Sequence, residues 1–198
     1  MNVLVACERS GRVRDAFRAK GHLAVSCDIL PTDVPGAHYC GPVEDILAGD
    51  ALGTKWDLLI GFPPCTHLAC SGAKHFAKKR GANGVQEKAL AFFRLLMDAP
   101  IPRICIENPV GIVSTRICKP SQIIQPWQFG DPYQKTTCLW LKWLPPLVPT
   151  KIVDKGEFYV SPTGKRLPRW YSDNKNSTIR STTFPGIAAA MADQWGKF

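Results

Sequence analysis

A chain of 198 residues has room for one domain with a substantial core and too little for two full ones. Its 25 Lys and Arg outnumber its 16 Asp and Glu, and the formal charge of +9 favours a polyanionic partner such as nucleic acid. No apolar run approaches the roughly 18 residues that span a bilayer, no signal peptide is visible after Met1, and the eight cysteines sit mostly inside apolar runs. The expectation is therefore a reduced, cytoplasmic protein with no membrane partner and no disulfide framework.

Residues 2–7 read as a buried first strand, residues 8–11 as a turn, and residues 12–20 as a helix whose apolar positions Val13, Ala16 and Phe17 share one face and whose stop is Gly21. Residues 23–28 form a second strand ending in the carboxylate of Asp28, about 20 residues after the glycine-containing turn. Strand, turn, helix, strand and terminal acid are the layout of a nucleotide-binding βαβ unit, although Gly11 stands alone where a full G-x-G-x-x-G would be stronger. Residues 38–47 predict a short strand and an acidic turn, and residues 56–60 the next strand. A loop around residues 74–83 carries Lys74, Lys78, Lys79 and Arg80 among glycines and alanines, a composition that suits phosphate contacts or simply a solvated face. Residues 85–97 form a helix in which Ala89, Phe92, Phe93 and Leu96 make a core stripe, followed by a strand over 104–106. Beyond Pro109 the periodicity weakens. Residues 136–141 read as a strand, 144–149 as a connector, 151–178 as a basic, aromatic-bearing hairpin or surface loop, and 187–195 as an alanine-rich helix.

Two strand ends stand out. The strand at 56–60 runs into Gly61-Phe62-Pro63-Pro64-Cys65-Thr66-His67-Leu68-Ala69-Cys70-Ser71-Gly72, and the two prolines, which lack an N–H donor, force a turn that presents Cys65 at the strand's carboxyl end. The strand at 104–106 ends in Glu107-Asn108-Pro109. Open α/β sheets carry their chemistry at such ends, so Cys65 and Glu107 are expected to face one pocket. Cys65, His67, Cys70 and His75 are too compressed for a zinc site, and no metal is expected.

Gly61-Phe62-Pro63-Pro64-Cys65 with Ser71-Gly72 resembles the nucleophile loop of the cytosine-C5 DNA methyltransferases, and Ile106-Glu107-Asn108-Pro109 resembles that family's Glu-Asn-Val motif. The resemblance covers most of residues 2–112 and, more loosely, 180–195, and is to compact, phage-type members without a large target-recognition domain. It implies a Rossmann-like, S-adenosylmethionine-dependent methyltransferase fold with a mostly parallel sheet, formed by residues 1–198 as one domain, with 113–179 a reduced recognition segment. It also implies DNA as partner and the cytoplasm of a bacterial or phage-infected cell as location. The resemblance places S-adenosylmethionine against Ala6, Cys7, Ser10, Gly11, Asp28, Ile29, Asp45, Ile46 and Pro63. Cys65, Glu107 and Asn108 would be catalytic, and Pro64, Thr66, Ser71, Lys79 and Arg80 would meet the substrate. The sequence departs from the family at Ala6-Cys7-Glu8-Arg9-Ser10-Gly11, which replaces Phe-x-Gly-x-Gly-Gly, at Thr66 and Pro109, and at Gln134-Lys135-Thr136-Thr137, a remnant of Gln-x-Arg-x-Arg.

The chemistry explains the residue types. A thiolate adding to carbon 6 of cytosine makes carbon 5 nucleophilic, and an acid at ring nitrogen 3 supplies or shares the proton. A strand-end position near cations and helix N-termini is expected to lower the Cys65 pKa, and a buried strand end to raise that of Glu107. Two other readings stay open: a degenerate methyltransferase fold that only binds DNA or cofactor, and modification of a free cytosine nucleotide. Amino-nitrogen methylation is disfavoured because Phe62 stands where that chemistry needs an amino-group acceptor.

Overall fold

The protein is described by a computed structural model over residues 1–49, 51–70, 84–174 and 176–198. Along the chain run β1 (Asn2–Ala6), α1 (Arg12–Ala19), β2 (Leu23–Asp28), β3 (His38–Cys40), α2 (Val43–Leu47), β4 (Leu58–Gly61), α3 (Val85–Met97), β5 (Arg103–Asn108) and α4 (Val113–Arg116). Then follow β6 (Gln122–Ile124), β7 (Thr137–Lys142), β8 (Phe158–Val160), β9 (Arg166–Pro168), α5 (Arg169–Asp173), α6 (Ser177–Ser181) and α7 (Pro185–Trp195).

Seven strands make one sheet in the order β3-β2-β1-β4-β5-β7-β6. The pairs β3/β2, β2/β1, β1/β4 and β4/β5 are parallel, and only β7 runs antiparallel to its two neighbours. This is the expected Rossmann-like α/β architecture. Strand order reverses at β1, which pairs with β2 on one side and β4 on the other, so a crevice opens at the carboxyl ends of β1 and β4.

The parallel strands are apolar on both faces because both are covered. Val3, Val5, Leu58, Ile60, Cys105 and Leu139 pack on one side with Val13 and Phe17 of α1 and with Ile187, Met191 and Trp195 of α7. Leu4, Ala6, Leu59, Ile104, Ile106 and Trp140 pack on the other with Ile46 of α2 and Leu90, Phe93 and Leu96 of α3. Burying large side chains of this kind contributes roughly 1.5–3 kcal/mol each. Trp195 and Trp140 are buried without leaving a donor unpaired, since their indole N–H groups reach the carbonyls of Pro145 and Cys118.

The first turn of α7 lies so close to the preceding chain that a Cβ on Gly186 would sit 1.9 Å from the Phe129 carbonyl oxygen. Gly186 N–H donates to Asp131 Oδ2 at 2.9 Å, which fixes the start of that helix.

Two local expectations are corrected and a third is extended. Residues 43–47 form the short helix α2 rather than a turn, because Val43 and Ile46 fall one helical turn apart and both enter the core. Cys7 lies outside β1, in the left-handed region at φ 58°, where the chain turns away from the sheet. In the segment 151–178 the expected hairpin is present as β8/β9, and what the sequence did not suggest is the short helix α5 that follows it directly.

Candidate active site at the carboxyl ends of β1, β4 and β5

A cleft of about 520 Å³ opens at the strand-order reversal, lined by Cys7, Glu8, Ser10 and Asp28 on the β1/β2 side and by Phe62, Pro64, Cys65 and Thr66 on the β4 side. Residues 180–183 close it from the C-terminal part of the chain, and Arg12 ties that closing segment to α1 by donating to the Thr183 carbonyl at 2.8 Å.

Glu8 shapes the β1 end of the cleft. It is 4% exposed, and its carboxylate accepts from Val13 N–H at 2.7 Å, Arg14 N–H at 3.2 Å and Ser10 Oγ at 3.2 Å. The positive end of α1 is thus neutralised by a side chain of the protein itself. Burial pushes the Glu8 carboxyl up, and the bonds from Val13, Arg14 and Ser10 pull it back. At the tip of β2, Asp28 faces the same cleft and Oδ1 accepts from Leu30 N–H at 2.9 Å.

The loop after β2 is clamped over α1 by Arg14, whose side chain is wholly buried. Its guanidinium bonds Asp15, Ser26 Oγ, Thr32 Oγ1 and the Pro35 carbonyl. Gly11, at φ 72°, is needed there: a Cβ would fall 2.4 Å from the Arg14 guanidinium.

At the other end, β4 and β5 are in register with Gly61 opposite Ile106, so the loops that leave them run side by side. Asn108, 1% exposed, donates from Nδ2 to the Pro63 carbonyl at 2.9 Å, while its Oδ1 is buried without a partner among the described residues. Further along, Cys70 N–H donates to the Val110 carbonyl and Ile112 N–H to the Leu68 carbonyl, each at 2.9 Å. Gly111 permits this approach, since a Cβ there would meet the Leu68 carbonyl oxygen at 2.2 Å. The Cys65 loop and the Glu107 loop are therefore one fastened unit.

Cys65 and Glu107 interact through charge. Burial pushes the Cys65 thiol up, Glu107 pushes it further, and Lys135 pulls it down. Burial likewise raises the Glu107 carboxyl, opposed by Lys135. The raised Glu107 follows from its strand-end burial, as the sequence led us to expect. The lowering expected for Cys65 does not occur, because loss of hydration outweighs the nearby cation. Lys135, on the approach to β7, is the cation that both groups feel, and its Nζ lies 5.9 Å from the Phe184 ring centre.

Of the residues singled out in the sequence, Cys7, Ser10, Asp28, Pro64, Cys65 and Thr66 line the cleft. Ala6, Gly11 and Pro63 are buried beside lining residues. Ile29 is 74% exposed, and Leu30 lines the cleft in its stead. Asp45 accepts the Tyr39 hydroxyl at 2.8 Å, and Ile46 is buried in the core beneath. Glu107 is beside the cleft rather than among its lining residues, coupled electrostatically to Cys65. Ser71, Lys79 and Arg80 fall outside the described residues. Glu8, residues 180–183 and Lys135 were missed by sequence reasoning. An acid placed just before a helix was a usable signal for Glu8, and the Gln134-Lys135-Thr136-Thr137 remnant was one for Lys135, whereas residues 180–183 carried only the looser resemblance over 180–195. Among the described residues no cluster of three or more His, Cys, Asp or Glu can hold a metal ion.

No protein-family model and no curated protein sequence matches the chain. Among solved structures, it is similar to a candidate DNA modification methyltransferase encoded within an E. coli prophage, at 14% sequence identity and a TM-score of 0.47. That similarity covers 81% of this chain and 58% of the other. No helix among the described residues is long and apolar enough to cross a membrane.

Proposed function

We propose that the protein methylates carbon 5 of cytosine in DNA, using S-adenosylmethionine and a covalent adduct through Cys65. The observation that carries the reading is the cleft itself, which joins a nucleotide-type βαβ pocket to a cysteine at the end of β4, next to an acid raised by burial and a cation.

Glu8 supports the cofactor class. In dinucleotide-binding folds the N-terminus of the first helix receives the pyrophosphate. Here the Glu8 carboxylate holds that position with three hydrogen bonds, so a phosphate would meet a buried like charge. A cofactor with ribose and base but no phosphate, and with cationic groups that two carboxylates favour, fits Glu8 and Asp28. S-adenosylmethionine is such a cofactor and, when bound, supplies an electrophilic methyl group. Cys7, Glu8, Ser10 and Asp28 would hold it, with Asp28 at the ribose hydroxyls.

On the substrate side, Cys65 Sγ adds to carbon 6 of the ring. Burial favours the protonated form of Glu107, and in that form it would not repel the thiolate and would hold a proton for ring nitrogen 3 as negative charge develops there. Lys135 favours the thiolate and stabilises the negative charge that develops on the ring. Asn108 braces the two loops through Pro63 and keeps Oδ1 available as an acceptor for the base's amino group. When carbon 5 later loses its proton to a base, Cys65 leaves and the ring regains aromaticity. DNA as the polymer is supported by charge: residues 113–198 hold twelve Lys and Arg against five Asp and Glu, while residues 1–112 are nearly balanced at thirteen against eleven.

The test is a trap. An oligodeoxynucleotide carrying 5-fluorocytosine, incubated with protein and cofactor, cannot lose a proton from carbon 5 and should stay attached to the enzyme. Peptide mass spectrometry should locate it on Cys65. Absence of any adduct, with cofactor binding intact, would overturn the mechanism.

A further inference from the structure

The six residues leading into β7, 131–136, deliver side chains to more than the Cys65 site. Lys135 serves Cys65 and Glu107. Two positions earlier, Tyr133 enters an aromatic cluster with Trp170 of α5 and Phe184 before α7. Ring centres lie 5.6 Å apart for Tyr133 and Phe184, 6.3 Å for Tyr133 and Trp170, and 5.3 Å for Trp170 and Phe184. The same Phe184 ring is the one Lys135 approaches.

Tyr133 and Trp170 line a separate cleft of about 460 Å³, whose charged lining is two cations, Lys155 and Arg169, and two acids, Glu157 and Asp173, with Gln134 beside them. Gln134 and Pro168 are shared with a neighbouring depression that holds Pro109 and Thr136, next to the Glu107-Asn108 end of β5. The aromatic cleft thus adjoins a depression bordered by the two loops that leave β4 and β5. Phe184 is 7% exposed and belongs to the core, whereas Tyr133 is 39% exposed.

From this arrangement we infer that the Tyr133/Trp170 cleft is a subsite for an unpaired nucleotide adjacent to the target cytosine, and that the polymer bound is single-stranded DNA. The inference rests on the function proposed above. A volume of this size suits one nucleotide. An aromatic face inside a cleft stacks on a base only when that base is unpaired, and such stacking is sequence-tolerant because every base has a π face. Lys155 and Arg169 on the rim are available for the flanking phosphates; Arg169 is held in place by Glu157 at 3.2 Å, and Lys155 by the Trp127 ring at 4.9 Å.

The experiment uses the full chain and labelled oligodeoxynucleotides containing one cytosine, in single-stranded form and as a hairpin duplex, with binding read by fluorescence anisotropy. A second set carries 2-aminopurine beside the cytosine, whose emission is quenched on stacking. The wild-type protein should bind the single strand more tightly than the duplex and quench the 2-aminopurine. Tyr133→Ala should weaken single-strand binding about tenfold, the loss of one base stack, and abolish the quench, while Tyr133→Phe should retain both. Thermal melting of Tyr133→Ala, an exposed position, checks that the fold survives. Tighter binding to the duplex, or a quench that persists in Tyr133→Ala, would overturn the subsite while leaving cytosine methylation standing. Absence of binding to any nucleic acid, with S-adenosylmethionine still bound, would instead overturn the function on which it rests.

Discussion

Replacing Gly111 by alanine strikes the fastening between the two site loops. The added Cβ would lie 2.2 Å from the Leu68 carbonyl oxygen and 2.8 Å from its carbonyl carbon, both backbone atoms that cannot swing aside like a side chain. Relief requires the loops to part by about 1 Å, which breaks or stretches the Cys70–Val110 and Ile112–Leu68 hydrogen bonds. At a net 0.5–1.5 kcal/mol each, the two bonds put the loss at about 2 kcal/mol of folding stability. The functional loss should be larger, because a displacement of about 1 Å between Cys65 and Glu107 can cost on the order of a hundredfold in rate. Urea unfolding gives the first number, and initial rates of methyl transfer at saturating cofactor give the second. A Gly111→Ala protein with wild-type midpoint and wild-type rate would refute the idea that the loops act as one unit.

Other perturbations address the remaining parts of the site. Glu8→Ala removes the acceptor from two N–H groups at the start of α1, and should lose about 1–2 kcal/mol in phosphate-free buffer. Inorganic phosphate should restore part of that stability by occupying the vacated position. No effect of phosphate on the melting temperature would contradict this account. Burial raises the Glu107 carboxyl above its ordinary value, so the folded protein keeps that proton longer than the unfolded chain. Stability contributed by neutral Glu107 is therefore complete at low pH and is lost as pH climbs from the ordinary carboxylate range through the raised value. Urea midpoints of Glu107→Gln and wild type should accordingly diverge in favour of the variant as pH rises; a constant difference would argue against a raised carboxyl. Lys135→Met removes the cation that pulls the Cys65 thiol down. The pH profile of Cys65 alkylation, read peptide by peptide because eight cysteines are present, should shift to higher pH, and an unmoved profile would remove Lys135 from the site.

Much of the fold was legible because its signals are local. The β-branched and leucine-rich runs at β1, β2 and β4, the helical stripes of α1 and α3 and the alanine-rich α7 all carry their period in the sequence. The Pro63-Pro64 stop and the acid at the end of β5 pointed to the edge of the sheet where the candidate site lies for the same reason. What escaped depends on contacts between distant segments. Lys135 matters because β7 pairs antiparallel with β5, which brings residues some 30 positions apart side by side. Residues 180–183 line the cleft because α7 packs on α1, an association that no local pattern announces. Ile46 is apolar for the core it joins, and Ile29, equally apolar, is left in solvent while Leu30 takes the cleft. Hydrophobicity alone could not separate those three. The Cys65 thiol shows the same limit in electrostatics: a neighbouring cation can be guessed from composition, but the degree of dehydration that outweighs it is a property of the folded loop.

The most direct measurement is mass spectrometry of nucleosides from cytosine-containing DNA, single- and double-stranded, after incubation with the protein and S-adenosylmethionine, with Cys65→Ala in parallel. The account predicts 5-methyl-2′-deoxycytidine from the wild-type protein and none from Cys65→Ala. A methyl group on the amino nitrogen, or a carbon-5 product that survives Cys65→Ala, would contradict it.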